Sequence, residues 1–269
     1  MAEGKFKVAA VQMVSEPEVQ ANLAVAGELI AQAAGEGAQL VALPEYFCIL
    51  GRRDRDKVDV READGHGPIQ DFLAGAAAKH KVWLVGGSAP LECADPNKVK
   101  NSCLVFDDAG RRVARYDKIH LFGFESGTER FQESRSIEPG SEVVTVDAPF
   151  GRLGLSICYD LRFPEMYRKM GAVDLILVPS SFTATTGKAH WEMLLRARAV
   201  ENQAYVLAPA QGGHHKNGRD TFGHSMIIDP WGKVLAVLAG GPGVVMAEID
   251  HAEIARVRQS LPALTHRVM

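Results

Sequence analysis

The stretch Gly154-Leu155-Ser156-Ile157-Cys158-Tyr159-Asp160-Leu161-Arg162-Phe163-Pro164-Glu165 reads as a buried strand that stops at a cysteine and turns into a helix. Cys158 would then stand at the end of a sheet, where the free N–H groups of a helix start favour an anion. Helix N-termini lower a thiol pKa from ~8.5 by up to several units, so a thiolate near neutral pH is expected. A cysteine nucleophile also needs a base, oxyanion donors and an acid for the leaving group. Glu45 follows the apolar run Leu40-Val41-Ala42-Leu43-Pro44 and is hemmed in by Tyr46, Phe47, Ile49 and Leu50, surroundings that raise a carboxyl toward general-base range. Lys118 lies in Tyr116-Asp117-Lys118-Ile119-His120-Leu121-Phe122, between apolar residues. Glu45 would take the thiol proton and return it to a departing amine, while Lys118 and the Tyr159 N–H would face the oxyanion. Water activated by Glu45 would then release the acid from the thioester.

Competing chemistries find little support. The segment around Cys158 is not a nucleophile elbow, which requires glycine where Cys158 stands. No Walker loop is present, and Gly240-Gly241-Pro242-Gly243 reads as a turn. His214-His215 lacks the further ligands a metal requires and reads as solvated, while His190-Trp191-Glu192 reads as structural or pocket-lining at a helix start. Cys48, Cys93, Cys103 and Cys158 are scattered and read as reduced thiols. Thirty Lys and Arg against 33 Asp and Glu leave a net charge of -3, which argues against nucleic-acid or anionic-membrane partners. A soluble, cytoplasmic protein of one domain over residues 1–269 is expected, with a tail beyond about 262 available to an oligomer interface.

The elements that must carry these residues alternate in type. A strand over 6–13, a helix from about Asn22 to Ala34 with Leu23, Ala26, Ile30 and Ala33 at helical spacing, and a strand before Glu45 form a β-α-β unit. Residues 51–57 read as an exposed connection, 69–80 as a helix and 82–87 as a strand. A hairpin over 101–116 delivers Lys118. The long polar stretch 123–141 reads as a loop covering substrate, with Glu125, Glu129 and Glu133 indistinguishable by spacing. Beyond Cys158, strands over 174–180 and 204–209, a helix over 188–201, a hairpin over 224–237, a strand over 244–249 and a helix over 251–260 repeat the scheme. Two sheets face to face with helices outside are expected.

In order and spacing, Leu43-Pro44-Glu45, Tyr116 to Phe122 and Gly154 to Glu165 resemble the carbon-nitrogen hydrolases of the nitrilase superfamily, over nearly the whole chain. The resemblance implies a four-layer α-β-β-α sandwich of class α/β, a Glu45, Lys118, Cys158 triad, no cofactor or metal, a small-molecule amide substrate, and homodimers or larger assemblies of stacked sandwiches. It also implies a second glutamate that orients substrate, placed at Glu133 with Glu125 and Glu129 as alternatives, and puts Tyr159 and Arg162 on the substrate or oxyanion side. Thr185 to Glu192, Gln211 to His215 and Phe222 to Met226 resemble the branch of deaminated glutathione amidase, with ω-amidase as a near relative; nitrilase and N-carbamoyl amine hydrolase activities are weaker alternatives, and a catalytically silent scaffold the alternative outside enzymes. Gly123, where Asp is usual, and Lys188, where Pro is usual, depart from that branch near the expected substrate loops. His215, Lys216 and Arg219 are the candidate contacts for a substrate carboxylate.

Overall fold

Burial of the central strands on both faces decides the layering of this chain. The computed structural model describes residues 4–127 and 129–268, with Glu129 described by its backbone alone. β1 (Lys5–Gln12) leads into α1 (Val19–Gly35), β2 (Leu40–Ala42), the short α2 (Asp56–Asp59), α3 (Pro68–His80) and β3 (Trp83–Val85). Antiparallel pieces follow: β4 (Ala89–Leu91), β5 (Lys100–Phe106), β6 (Arg112–Asp117), and the pair β7 (Gly123–Ser126) and β8 (Glu129–Gln132). The second half runs β9 (Thr145–Ala148), β10 (Gly151–Leu155), α4 (Pro164–Lys169), β11 (Leu175–Leu177), α5 (Ala184–Asn202) and β12 (Tyr205–Ala208). It ends with β13 (Gly212–His214), β14 (Asp220–Phe222), β15 (Ser225–Ile228), β16 (Val234–Leu238), β17 (Gly243–Asp250) and α6 (His251–Ser260).

Each half builds a sheet on three parallel strands. β1, β2 and β3 are parallel neighbours, as are β10, β11 and β12, and antiparallel strands extend both sets. Val8 and Ala10 of β1 pack into the core between the sheets with Leu40, Trp83, Leu153 and Ile176, while Ala9 and Val11 pack with Leu23, Ala26 and Ile30 of α1 and Leu73 of α3. Period-two side-chain alternation thus gives β1 one face for the other sheet and one for the helices. Helix ends follow local chemistry: Pro68 starts α3, Lys81 closes it in the left-handed region, and the Thr183 hydroxyl caps α5 by accepting from the Thr186 N–H at 3.2 Å. The four-layer α-β-β-α expectation therefore holds.

Three features depart from the sequence reading. The stretch expected to be a long loop carries the β7–β8 hairpin, in which Phe124 pairs with Phe131 and Glu125 with Arg130. β17 leaves its own half and pairs with β1, Lys5 opposite Asp250 through Gln12 opposite Gly243, stitching the first sheet to the end of the chain. The strand before Cys158 ends at Leu155, and a 3-10 turn over Cys158–Arg162 precedes α4. Among the described residues no helix is long and apolar enough to cross a membrane.

Candidate active site

Three chain segments converge at the strand ends. Glu45 follows β2, Lys118 follows β6 and Cys158 follows β10, and all three side chains are buried. Two of the segments are pinned tightly. Gly87, at φ +56°, lies so close to the Glu45 segment that a Cβ there would come within 2.0 Å of the Pro44 carbonyl oxygen. Gly140 donates its N–H to the Lys118 carbonyl at 2.8 Å, and a Cβ on it would come within 2.2 Å of the Asp117 oxygen.

The Lys118 ammonium is the centre of the charge arrangement. It donates to Glu45 Oε1 at 2.8 Å and to Glu133 Oε1 and Oε2 at 3.0 and 2.8 Å. Burial alone would lower its pKa, but the charges of Glu133 and Glu45 outweigh it and hold Lys118 well above its ordinary range. Burial likewise presses Glu133 upward; Lys118 and donors from the Phe122 N–H (2.7 Å) and Tyr46 hydroxyl (2.7 Å) reverse this and keep it below the usual value. Glu45 goes the other way. Burial raises it more than Lys118 lowers it, and Glu133 adds repulsion. Of the two carboxyls on one ammonium, Glu45 is thus the more basic.

Cys158 lines the same cavity as Glu45 and Ser181, and the Ser181 N–H favours its thiolate. Burial, then the Glu45 charge, pushes its pKa well above that of a free thiol, so the expected resting thiolate is not supported. A 3-10 turn of five residues offers little dipole, and a buried carboxylate beside the sulfur opposes a second negative charge. Cys158 and Tyr46 both adopt positive φ, +51° and +57°, which is uncommon for residues with a Cβ and marks strain where the chain turns sharply at the site.

These groups line a cavity of about 390 Å³ that also receives Lys57, Phe122, Phe131, Ser181, Thr183 and Arg219. Some expected residues lie elsewhere. Tyr159 and Arg162 line a narrow pocket behind Cys158, where Arg162 stacks over the Tyr159 and Phe182 rings and bonds His190 Nδ1 at 3.3 Å. Contrary to the solvated reading, His215 is 1% exposed; Nδ1–H donates to the Ser15 carbonyl at 2.9 Å and Nε2 accepts from the Thr221 hydroxyl at 2.7 Å. Burial lowers its pKa, so it is a neutral brace and no anion contact. Lys216 points to Glu16 at 2.5 Å, outside the cavity lining, and only Arg219 of that trio lines the cavity. Lys188 lines a separate groove on α5, away from Cys158. Glu125 is exposed and faces Arg130 at 3.8 Å, while the Glu129 side chain falls outside the described residues.

Sequence reasoning missed three supports. Asn101 Nδ2 donates to Glu45 Oε1 at 3.0 Å, Gln211 Nε2 donates to the Glu45 carbonyl at 3.1 Å, and Ser181 serves Cys158 through its backbone. Asn101 had a signal, being an amide near the start of β5 just ahead of the apolar run Cys103-Leu104-Val105-Phe106; Ser181 had none, since any residue supplies an N–H.

A parallel-centred double sheet with Glu, Lys and Cys at the strand ends is the arrangement of a carbon-nitrogen hydrolase, and the carbon-nitrogen hydrolase family model matches residues 7–259. The chain belongs to that family. It is 42% identical to a deaminated glutathione amidase of Synechocystis sp., covering 98% of each chain, and 38% identical to omega-amidase NIT2-A of Xenopus laevis, covering 98% of this chain and 95% of that one. The crystal structure of the Caenorhabditis elegans NitFhit protein superposes with a TM-score of 0.89 at 40% identity, over all of this chain and 66% of the other.

Proposed function

We propose that this protein is an amidase that hydrolyses the carbon–nitrogen bond of a small linear, carboxylate-bearing amide through a thioester on Cys158. The observation that carries the reading is the buried Lys118 ammonium clasped by Glu45 and Glu133, with the Cys158 thiol against Glu45 in one cavity. Glu45 takes the thiol proton as sulfur attacks the carbonyl carbon, so charge on sulfur never has to accumulate in the resting state. The oxyanion is met by Lys118 and by the N–H of Tyr159, which lies in the first turn after Cys158 where N–H groups lack intrahelical partners. As the C–N bond breaks, Glu45 returns the proton to nitrogen and the amine leaves, ammonia from a primary amide or cysteinylglycine from deaminated glutathione. Water then gives a proton to Glu45 and its hydroxyl to the thioester carbon; the C–S bond breaks, the acid departs and the proton returns to sulfur. Glu133 stays ionised throughout and holds Lys118 in place.

Deaminated glutathione is the leading substrate, supported by the Synechocystis relative; an ω-amide of a keto acid is the second reading, supported by the Xenopus relative at similar coverage. We place the protein in the cytoplasm as a homodimer or larger assembly. Release of cysteinylglycine from deaminated glutathione, and of ammonia from 2-oxoglutaramate, a carbamoyl amine and an aliphatic nitrile, each with Cys158→Ala in parallel, tests the reading. Cys158-dependent release from one of the two amides supports it; release from the nitrile or the carbamoyl amine alone replaces it.

A further inference from the structure

Of the cations in or just behind the cavity lining, three already have their charge answered. Lys118 is held by Glu45 and Glu133, Arg219 lies 3.6 Å from Asp54 and over the Phe131 ring, and the exposed Arg130 faces Glu125. Lys57 differs. Although the sequence placed it in an exposed connection, it stands half-buried on α2 with its ammonium 5.3 Å from the centroid of the Tyr46 ring. Its hydrogen bond to Ser136 Oγ is long, 3.4 Å, and no carboxylate of the described residues lies within 4 Å of it. Burial lowers its pKa even though Glu133 and Asp54 pull the other way, consistent with a cation short of partners.

Position adds to this. Lys57, Tyr46 and Arg219 line both the main cavity and a small recess opening from it, and that recess shares no lining residue with the pocket behind Cys158. Lys57 therefore stands where the cavity opens into a recess that Cys158 does not line. We propose that Lys57 is the specificity-determining contact for a carboxylate carried by the substrate at the end remote from the scissile amide. A carboxylate would complete the ammonium with a charge-assisted hydrogen bond, stronger than a neutral one. A neutral group of the same shape would leave the cation partly dehydrated and unpaired, and sites built for an ion reject such analogues strongly. The recognition assigned from sequence to the 215–219 loop moves to α2, with Arg219 as a neighbour already tied to Asp54.

The proposal rests on the amidase reading, so its test reads binding alone. In the Cys158→Ala protein, glutaramate and its near-isosteric neutral counterpart glutaramide are titrated by ligand-observed NMR. Glutaramate should bind roughly tenfold tighter or better, Lys57→Gln in the same background should erase that preference while changing glutaramide about twofold or less, and Lys57→Arg should keep most of it. Equal affinities in the parent, no measurable glutaramate binding, or equal weakening of both ligands by Lys57→Gln would overturn the assignment. Ammonia release by the Cys158-intact protein tests the amidase reading separately.

Discussion

Lys118 sets the protonation states around it, and replacing it separates charge from chemistry. Lys118→Met should leave Glu45 and Glu133 facing each other unpaired and cost about 3–5 kcal/mol of stability, as breaking a buried ion pair does. Adding Glu133→Gln should restore part of the loss; urea unfolding of the single and double variants measures both. Glu45 fixes the acid side of the pH profile. Because its folded pKa is raised from 4.5, activity that needs the ionised form should fall as pH drops through a value above the ordinary carboxylate range, and the kcat/KM profile should show its acid limb there. Glu45→Gln should remove that limb along with most of kcat. At this scale Glu45, Lys118 and Cys158 stood out as candidates because their types are rare between apolar neighbours. The thiol's charge state was not, since it depends on Glu45 arriving from more than a hundred residues away.

Two elements are held in register by one side chain. Asp160 is buried and accepts from the Tyr116 hydroxyl (2.6 Å), the His120 N–H (3.0 Å) and the Ile157 N–H (2.9 Å), with His120 Nδ1 at 2.7 Å as well. It ties the segment bearing Lys118 to the turn bearing Cys158. Asp160→Ala should leave several of these donors unanswered, cost about 3 kcal/mol or more, and slow Cys158-dependent turnover more than it changes KM. Thermal unfolding and steady-state kinetics of the variant check this. Gly87→Ala offers a sharper test of backbone placement: a positive φ and a contact with Pro44 should together cost at least about 2 kcal/mol, although no side chain is removed. The helices and parallel strands were legible from periodicity, as α1 with Leu23, Ala26, Ile30 and Ala33 buried shows. The β7–β8 hairpin was not. Its polar residues alternate with Phe124 and Phe131 too sparsely to stand out from a loop.

The molecule as a whole leaves an apolar patch uncovered. Met193 and Trp231 are 62% and 56% exposed and share with Val200 a groove of about 710 Å³ beside Lys188, Glu192 and Arg196. In the homo-oligomer proposed above, a second copy of the chain would cover this patch. Trp231→Glu should shift the protein toward monomer in light scattering after size exclusion while the monomer stays folded. Stability also depends on pH through His215, which braces β13 and β14 against Ser15. Its folded pKa is depressed below 6.5, so its contribution is full above that value and is lost as pH falls through 6.5 toward the folded value. His215→Gln should flatten the decline in urea midpoint as pH falls below 6.5. Pairing of the chain's two ends through β1 and β17 was invisible locally, because register across the molecule is decided by packing.

The central claim is a thioester on Cys158, and the most direct test is to look for it. Rapid acid quench of the protein with deaminated glutathione, followed by intact-mass and peptide analysis, should show one acyl group, the 2-oxoglutaryl group left when cysteinylglycine departs, on the peptide containing Cys158, and none in Cys158→Ala. Cysteinylglycine release that persists in Cys158→Ala, or turnover with the acyl group on another residue, would contradict it.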